Sequence, residues 1–121
     1  MPVRILLVDD EKEFVATLAE RLELRGIDAD WVTTGEAALA KAAERAYDLA
    51  VLDVKMPGIS GLKLEKLMAQ RHPGMKFIFL TGHGSASDYH SGIAEDRVVD
   101  YLVKPVNIES LIAKMQATIQ S

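Results

Sequence analysis

Short apolar runs that each end in a charged side chain limit this chain more than any other feature. Ile5-Leu6-Leu7-Val8 leads into Asp9-Asp10-Glu11, Leu49-Ala50-Val51-Leu52 into Asp53, and Tyr101-Leu102-Val103 into Lys104-Pro105. Unbroken runs of this length read as strands buried on both faces, the pattern of a parallel sheet covered by helices. In open α/β sheets, sites form outside the carboxyl ends of the strands. The charges that close these runs therefore stand where chemistry is expected.

Strand and helix patterns alternate along the whole chain. A strand at Arg4–Val8 precedes a helix over 11–24, with Phe14, Val15, Leu18 and Leu22 as its apolar stripe and Gly26 as its stop. A second strand spans Asp28–Val32, with Trp31 as a packing residue. Thr33 and Glu36 then have capping-box spacing ahead of an alanine-rich helix to about Arg45. The third strand, 49–52, delivers Asp53. Residues 56–61 read as a loop, and Leu62, Leu64, Leu67 and Met68 mark a helix to about His72. Pro73-Gly74 breaks it. A fourth strand over 76–80 reaches Thr81, and Gly82-His83-Gly84 opens a loop. The segment 85–97 is poorly amphipathic and predicts a short fourth helix. Asn107 is a good N-cap for a fifth, with Ile108, Leu111, Ile112, Met115 and Ile119 on one face. The expectation is a doubly wound (βα)5 fold with methionines as core filler.

At 121 residues the chain is expected to form a single domain, 1–121. Hydrophobic residues make up 49% and charged residues 26%, which is too apolar for disorder. No apolar run approaches the roughly 18 residues that span a membrane. The first strand starts almost at once, which leaves no room for a signal peptide. There is no cysteine, so disulfides, thiolate metal sites and cysteine nucleophiles are excluded. A cytoplasmic protein is expected. The formal net charge is −4 with Lys and Arg dispersed, so neither direct nucleic-acid binding nor a membrane partner is expected.

Asp9-Asp10 alone would fit equally well a helix N-terminus favoured by the dipole. Asp53 at the end of another strand changes the balance, because clustered carboxylates need a cation. Oxygen ligands with room for water suit Mg²⁺, or Mn²⁺. Lys104 adds what a purely metal site would not need, a strand-terminal ammonium that can share a phosphoryl anion with the metal. Thr81 offers a hydroxyl to the same oxygens. Lys104-Pro105 is a candidate cis peptide. His72, His83 and His90 lack metal-ligand spacing.

Taken together, Asp9-Asp10-Glu11, Asp53 within Leu-Asp-Val-Lys-Met-Pro-Gly, Thr81-Gly82 and Tyr101-Leu102-Val103-Lys104-Pro105 give a close likeness. The chain resembles the receiver domain of two-component response regulators over nearly its whole length. The resemblance implies a flavodoxin-like five-stranded parallel sheet of order 2-1-3-4-5. It implies Asp53 as phosphoacceptor from a phosphohistidine. Mg²⁺ would be held by Asp10 directly, by Asp9 mainly through water, by Asp53 and by the backbone carbonyl of Lys55. Thr81 and Lys104 would grip the phosphoryl group, and Thr81 and Tyr101 would act as switch residues. The implied partners are a sensor histidine kinase or histidine phosphotransfer protein and a downstream effector protein or fused effector domain. A phosphorylation-dependent homodimer is compatible with it. A signalling switch rather than an enzyme with an external substrate follows, in a stand-alone protein or part of a longer regulator.

Two departures stand out. Val98-Val99 replaces the Gly-Ala common before Asp-Tyr in such domains, and the span from Thr81 to Lys104 is about one residue longer. Output through the fourth helix, fifth strand and fifth helix is thus the least fixed part of the likeness. Lys55 and His83, two residues after Asp53 and Thr81, are candidates for tuning phosphate lifetime; a solvated lysine and a plain loop histidine are the alternatives. Other readings compete. A haloacid-dehalogenase-like phosphatase would need an Asp where Lys55 stands. A flavodoxin would find its phosphate repelled by Asp9-Asp10-Glu11. A phosphorylation-independent binding module would not need all five site residues.

Overall fold

The computed structural model describes residues 3–82 and 98–120. Strands β1 (Arg4–Val8), β2 (Asp28–Val32), β3 (Leu49–Asp53), β4 (Lys76–Thr81) and β5 (Val98–Val103) form one sheet of order β2-β1-β3-β4-β5. Every neighbouring pair is parallel. The described helices are α1 (Lys12–Leu24), α2 (Gly35–Glu44), α3 (Gly61–Arg71) and α4 (Ile108–Gln120). Helix α4 is the fifth of the sequence pattern; the short helix expected over 85–97 lies outside the described residues. The expected flavodoxin-like winding is what the chain adopts. It reverses direction between β1 and β3, so Asp9 and Asp53 stand at the switch point, where sites form in such sheets.

Period-two alternation sends successive strand residues to opposite faces. Leu6, Val8, Ala50, Leu52, Phe77 and Phe79 join Ala38, Leu64 and Met68 in one buried cluster. Ile5, Leu7, Leu49, Val51, Ile78 and Leu80 join Val15, Leu18, Leu22, Leu111 and Met115 in the other. Both faces are covered, which is why the strands read as continuous apolar runs. Truncating one of these leucines to alanine typically costs about 2–5 kcal/mol. Met68, Met75 and Met115 are core residues, and Trp31 packs partly buried on the second cluster. Edge strand β2 turns charge outward to its neighbours: Asp30 lies 2.7 Å from Arg45, and Asp28 3.1 Å from Arg4. Paired charge on an edge strand discourages a further strand from adding there. Among the described residues no helix is long and apolar enough to cross a membrane.

Helix ends follow local chemistry. Helix α1 closes in a Schellman motif, with Gly26 at φ 77° and the Ile27 amide donating to Leu22 O at 3.0 Å. Asn107 Oδ1 accepts from the Ser110 amide at 3.1 Å, and Ser60 Oγ from the Lys63 amide at 3.2 Å. The capping box at Thr33 and Glu36 is not formed. Thr34 is the N-cap and accepts from the Ala37 amide at 3.1 Å, because the helix begins at Gly35. Glu36 then falls one position short of the reciprocal site.

The β4–β5 pairing slips once. Phe77 faces Val98, but Ile78 faces Asp100, so β5 carries one more residue than β4 at this point. That bulge absorbs an extra residue and returns Tyr101 to Phe79 and Val103 to Thr81. Without it every later side chain of β5 would change face.

Capping by Thr34 predicts that Thr34→Ala loses about 1 kcal/mol of stability. Thr33→Ala should stay within about 0.5 kcal/mol of the parent. Urea melts compare the two, and equal losses would reassign the cap.

Candidate functional site

Asp9 and Lys104 follow directly on β1 and β5, Asp53 and Thr81 end β3 and β4, and the hydrogen-bond ladder runs past the strand ends. The Asp9 amide donates to Val32 O at 3.3 Å, the Val54 amide to Leu80 O at 2.9 Å and the Lys104 amide to Thr81 O at 2.7 Å. Asp9, Asp53 and Lys104 are thereby fixed by backbone rather than carried on free loops. Gly61, the first residue of α3, also sets the end of β3. Its amide donates to Val54 O at 2.9 Å, and a Cβ there would come within 2.0 Å of Asp53 O. Only glycine permits that approach. In sequence, Gly61 closes a run, 56–61, that reads as a plain loop, and nothing local singles it out.

Asp9, Asp10 and Asp53 come together, with one carboxylate oxygen of each within 4.8 Å of the others. Asp9 and Asp53 are buried and Asp10 is exposed. Lys104 Nζ lies 2.7 Å from Asp9 Oδ2 and 3.5 Å from Asp53 Oδ2. It also lies 2.6 Å from Glu11 Oε1 and 5.7 Å from the centre of the Phe14 ring. Neither of these last two contacts shows in any local sequence pattern. Asp9 Oδ1 accepts the Glu11 amide at 2.9 Å. The Lys104-Pro105 bond is cis.

Thr81 is buried at the end of β4, and its Oγ1 has no hydrogen-bond partner among the described residues. Tyr101 is partly buried and packs on the cluster beneath α2 and α3. Lys55 is exposed, lining an open cleft of about 610 Å³ with Met56, Pro57 and Leu62, and makes no ion pair among the described residues. His83 lies outside the described residues.

The electrostatics follow from this crowding. Burial pushes the Asp53 carboxyl up to about 6, helped by the neighbouring charge of Asp9 and opposed by Lys104. Burial also raises Asp9, against the hydrogen bond from Lys104. Burial alone would lower Lys104, but its hydrogen bonds to Asp9 and Glu11 win and hold it above the usual lysine range. Two buried carboxylates held near a third, with charge in excess of one ammonium, form a donor set that fits a hard divalent cation.

The sequence pattern described as the response regulator receiver domain matches residues 5–116. The chain belongs to that family. It is 36% identical over 115 residues to the transcriptional regulatory protein TcrA of Mycobacterium tuberculosis, covering 95% of this chain and 45% of that protein. It is 33% identical over 120 residues to the response regulator MprA of a Mycobacterium species, covering 99% of this chain and 52% of that one. The crystal structure of a response regulator receiver domain protein from Clostridium thermocellum superposes with TM-score 0.89 at 27% identity, over 98% of this chain and 94% of that one. This receiver domain spans about half the length of the curated relatives it matches. Receiver domains bind Mg²⁺ at a cluster of acidic residues, and Asp9, Asp10 and Asp53 form such a cluster here.

Unfolded, Asp53 titrates near the model-peptide value of 3.8; folded and metal-free, near 6. Between these values the folded state holds the extra proton, so stability falls as pH rises through the window. The loss at pH 7.5 is on the order of 2–3 kcal/mol. Metal-free Asp53→Asn should therefore melt several degrees above the parent at about pH 7.5, with the gain shrinking toward zero near pH 4. Thermal melts in EDTA across that range measure it.

Proposed function

We propose that this receiver domain is a phosphorylation-dependent switch in which Asp53 accepts a phosphoryl group. The observation that carries the reading is the meeting of Lys104 with Asp9 and Asp53, 2.7 and 3.5 Å away, at the sheet's switch point. The donor is a phosphohistidine on a sensor histidine kinase or histidine phosphotransfer protein. An Asp53 oxygen attacks phosphorus as the phosphorus–nitrogen bond breaks; the imidazole nitrogen keeps the electron pair and takes up a proton. With its carboxyl near 6, Asp53 is largely ionised at neutral pH and competent to attack. Mg²⁺, or Mn²⁺, would be held by Asp9, Asp10, Asp53 and the Lys55 backbone carbonyl, and would supply charge neutralisation for the phosphoryl group.

The chain's own groups supply the rest. Lys104 donates to one phosphoryl oxygen, and the Thr81 hydroxyl, buried with no partner among the described residues, to another. As Thr81 moves toward the phosphoryl group, Tyr101 turns further inward, changing the surface built on β5 and α4. The output is read by an effector protein or a fused effector domain. Relatives about twice this length carry the name transcriptional regulatory protein, which supports a fused output, with nucleic acid bound outside residues 1–121. Within 1–121 we infer one domain, cytoplasmic, catalysing only its own phosphorylation and dephosphorylation.

Intact mass after incubation with acetyl phosphate and Mg²⁺ tests this reading. One phosphoryl adduct is expected, absent with EDTA and absent in Asp53→Asn. A folded protein that gains no adduct from either acetyl phosphate or a phosphohistidine donor would favour a phosphorylation-independent binding module.

Lifetime is set beside Asp53. We infer that Lys55, exposed and two residues after Asp53, reaches a phosphoryl oxygen and hinders in-line water, and that His83 holds the corresponding sequence place after Thr81. Lys55→Ala should shorten the phosphoaspartate half-life several-fold, corresponding to about 1 kcal/mol. An unchanged half-life in a decay time course would return Lys55 to the solvent.

A further inference from the structure

The Glu11 carboxylate serves neither the carboxylate cluster nor the helix it precedes. Glu11 occupies the N-cap position of α1 yet makes no side-chain capping bond. Capping is the work of shorter side chains such as Ser, Thr, Asp and Asn. Glu11 Oε1 lies instead 2.6 Å from Lys104 Nζ. That ammonium has three protons to give. It already has Asp9 at 2.7 Å and Glu11 at 2.6 Å, with Asp53 at 3.5 Å. Two of those protons are held close by Asp9 and Glu11, so a phosphoryl oxygen on Asp53 competes with these two carboxylates for the ammonium.

The two close partners differ in what release would cost. The Asp9 side chain is 1% exposed, so losing Lys104 would strip a buried carboxylate of its counter-charge. The Glu11 side chain is 62% exposed, and releasing it returns a carboxylate to water. Glu11 is the partner that yields.

We propose that Glu11 is a positioning residue that parks the Lys104 ammonium and competes with the phosphoryl group for it. The proposal rests on the reading of Asp53 as acceptor and Lys104 as its grip. Glu11 hands Lys104 over when the phosphoryl group arrives, while Asp9 keeps its contact. The Phe14 ring, 5.7 Å from Nζ, steadies the parked position. The competition sets a threshold for engagement, so neutralising Glu11 favours the engaged state.

The test is calorimetric titration of the full chain with beryllofluoride, a phosphoryl mimic, at saturating Mg²⁺. Wild type, Glu11→Gln and Glu13→Gln are compared, the last removing an exposed acid two residues on, in the first turn of α1. Glu11→Gln should bind the mimic about 2- to 5-fold more tightly at about 0.05 M salt, and less so at about 0.5 M. Glu13→Gln should match wild type. Unchanged or weaker binding by Glu11→Gln overturns the proposal. An equal gain in Glu13→Gln also overturns it, because the effect would then be general electrostatics. If wild type itself fails to bind the mimic, or Asp53→Asn binds it equally well, the acceptor reading falls first and this proposal with it.

Discussion

One ammonium stands among three carboxylates at the carboxyl end of the sheet, and the arrangement of the site depends on it. Asp9 and Asp53 end adjacent strands, and their backbones are tied to β2 and β4, so they cannot relax apart. Burial keeps water from screening them. Lys104 is the group that makes their closeness tolerable, and it comes from β5, two strands away from β3. Strands lie about 4.8 Å apart, so a group at the end of β5 must reach across roughly 10 Å. A long, flexible stem ending in a point charge meets that demand, and a short polar side chain would not.

The same pairing leaves the site under tension. A single positive charge faces Asp9, Asp53 and Glu11, with Asp10 beside them. Burial first, and the neighbouring negative charge second, raise the carboxyls of Asp9 and Asp53. A breakage of the pair would be far more costly than its net contribution to stability, since a buried charge would be left alone. Such a site gains from a divalent cation, and the fold supplies the rigidity that keeps the ligands together while none is bound. Gly61 belongs to this scheme, because α3 can press against Asp53 O only where no Cβ intervenes.

Strand positions were legible because burial on both faces leaves an unbroken apolar signal, and the residues that close the runs at Asp9, Asp53, Thr81 and Lys104 were legible with them. Features decided by three-dimensional register were not. Thr33 and Thr34 are chemically identical neighbours, so only the start of α2 at Gly35 selects the second. The extra residue before Tyr101 was visible as a length difference, but its place as a bulge opposite Phe77 and Ile78 depends on pairing with β4. Gly61 read as one loop glycine among several, since the strand end it touches is eight residues back in the chain. Glu11 read as part of an acidic triplet. Its partner lies 93 positions away, beyond the reach of any local pattern.

The two donors of the site are mismatched in opposite directions. The Thr81 hydroxyl is buried with no acceptor among the described residues, which is uncommon for a native side chain. Lys104 is crowded by three carboxylates, two of them at short range. An added phosphoryl group brings three acceptor oxygens to the same few ångströms. In the function proposed above, one oxygen gives the Thr81 hydroxyl an acceptor. Another takes Lys104 from its most exposed carboxylate, which water receives at little loss. On that reading the two adjustments pull β4 and β5 toward the same point from adjacent strands, and Tyr101 lies on β5 two positions before the residue that pairs with Thr81. A change confined to oxygen contacts at Asp53 thereby reaches the outer strand of the sheet through two side chains and one backbone ladder.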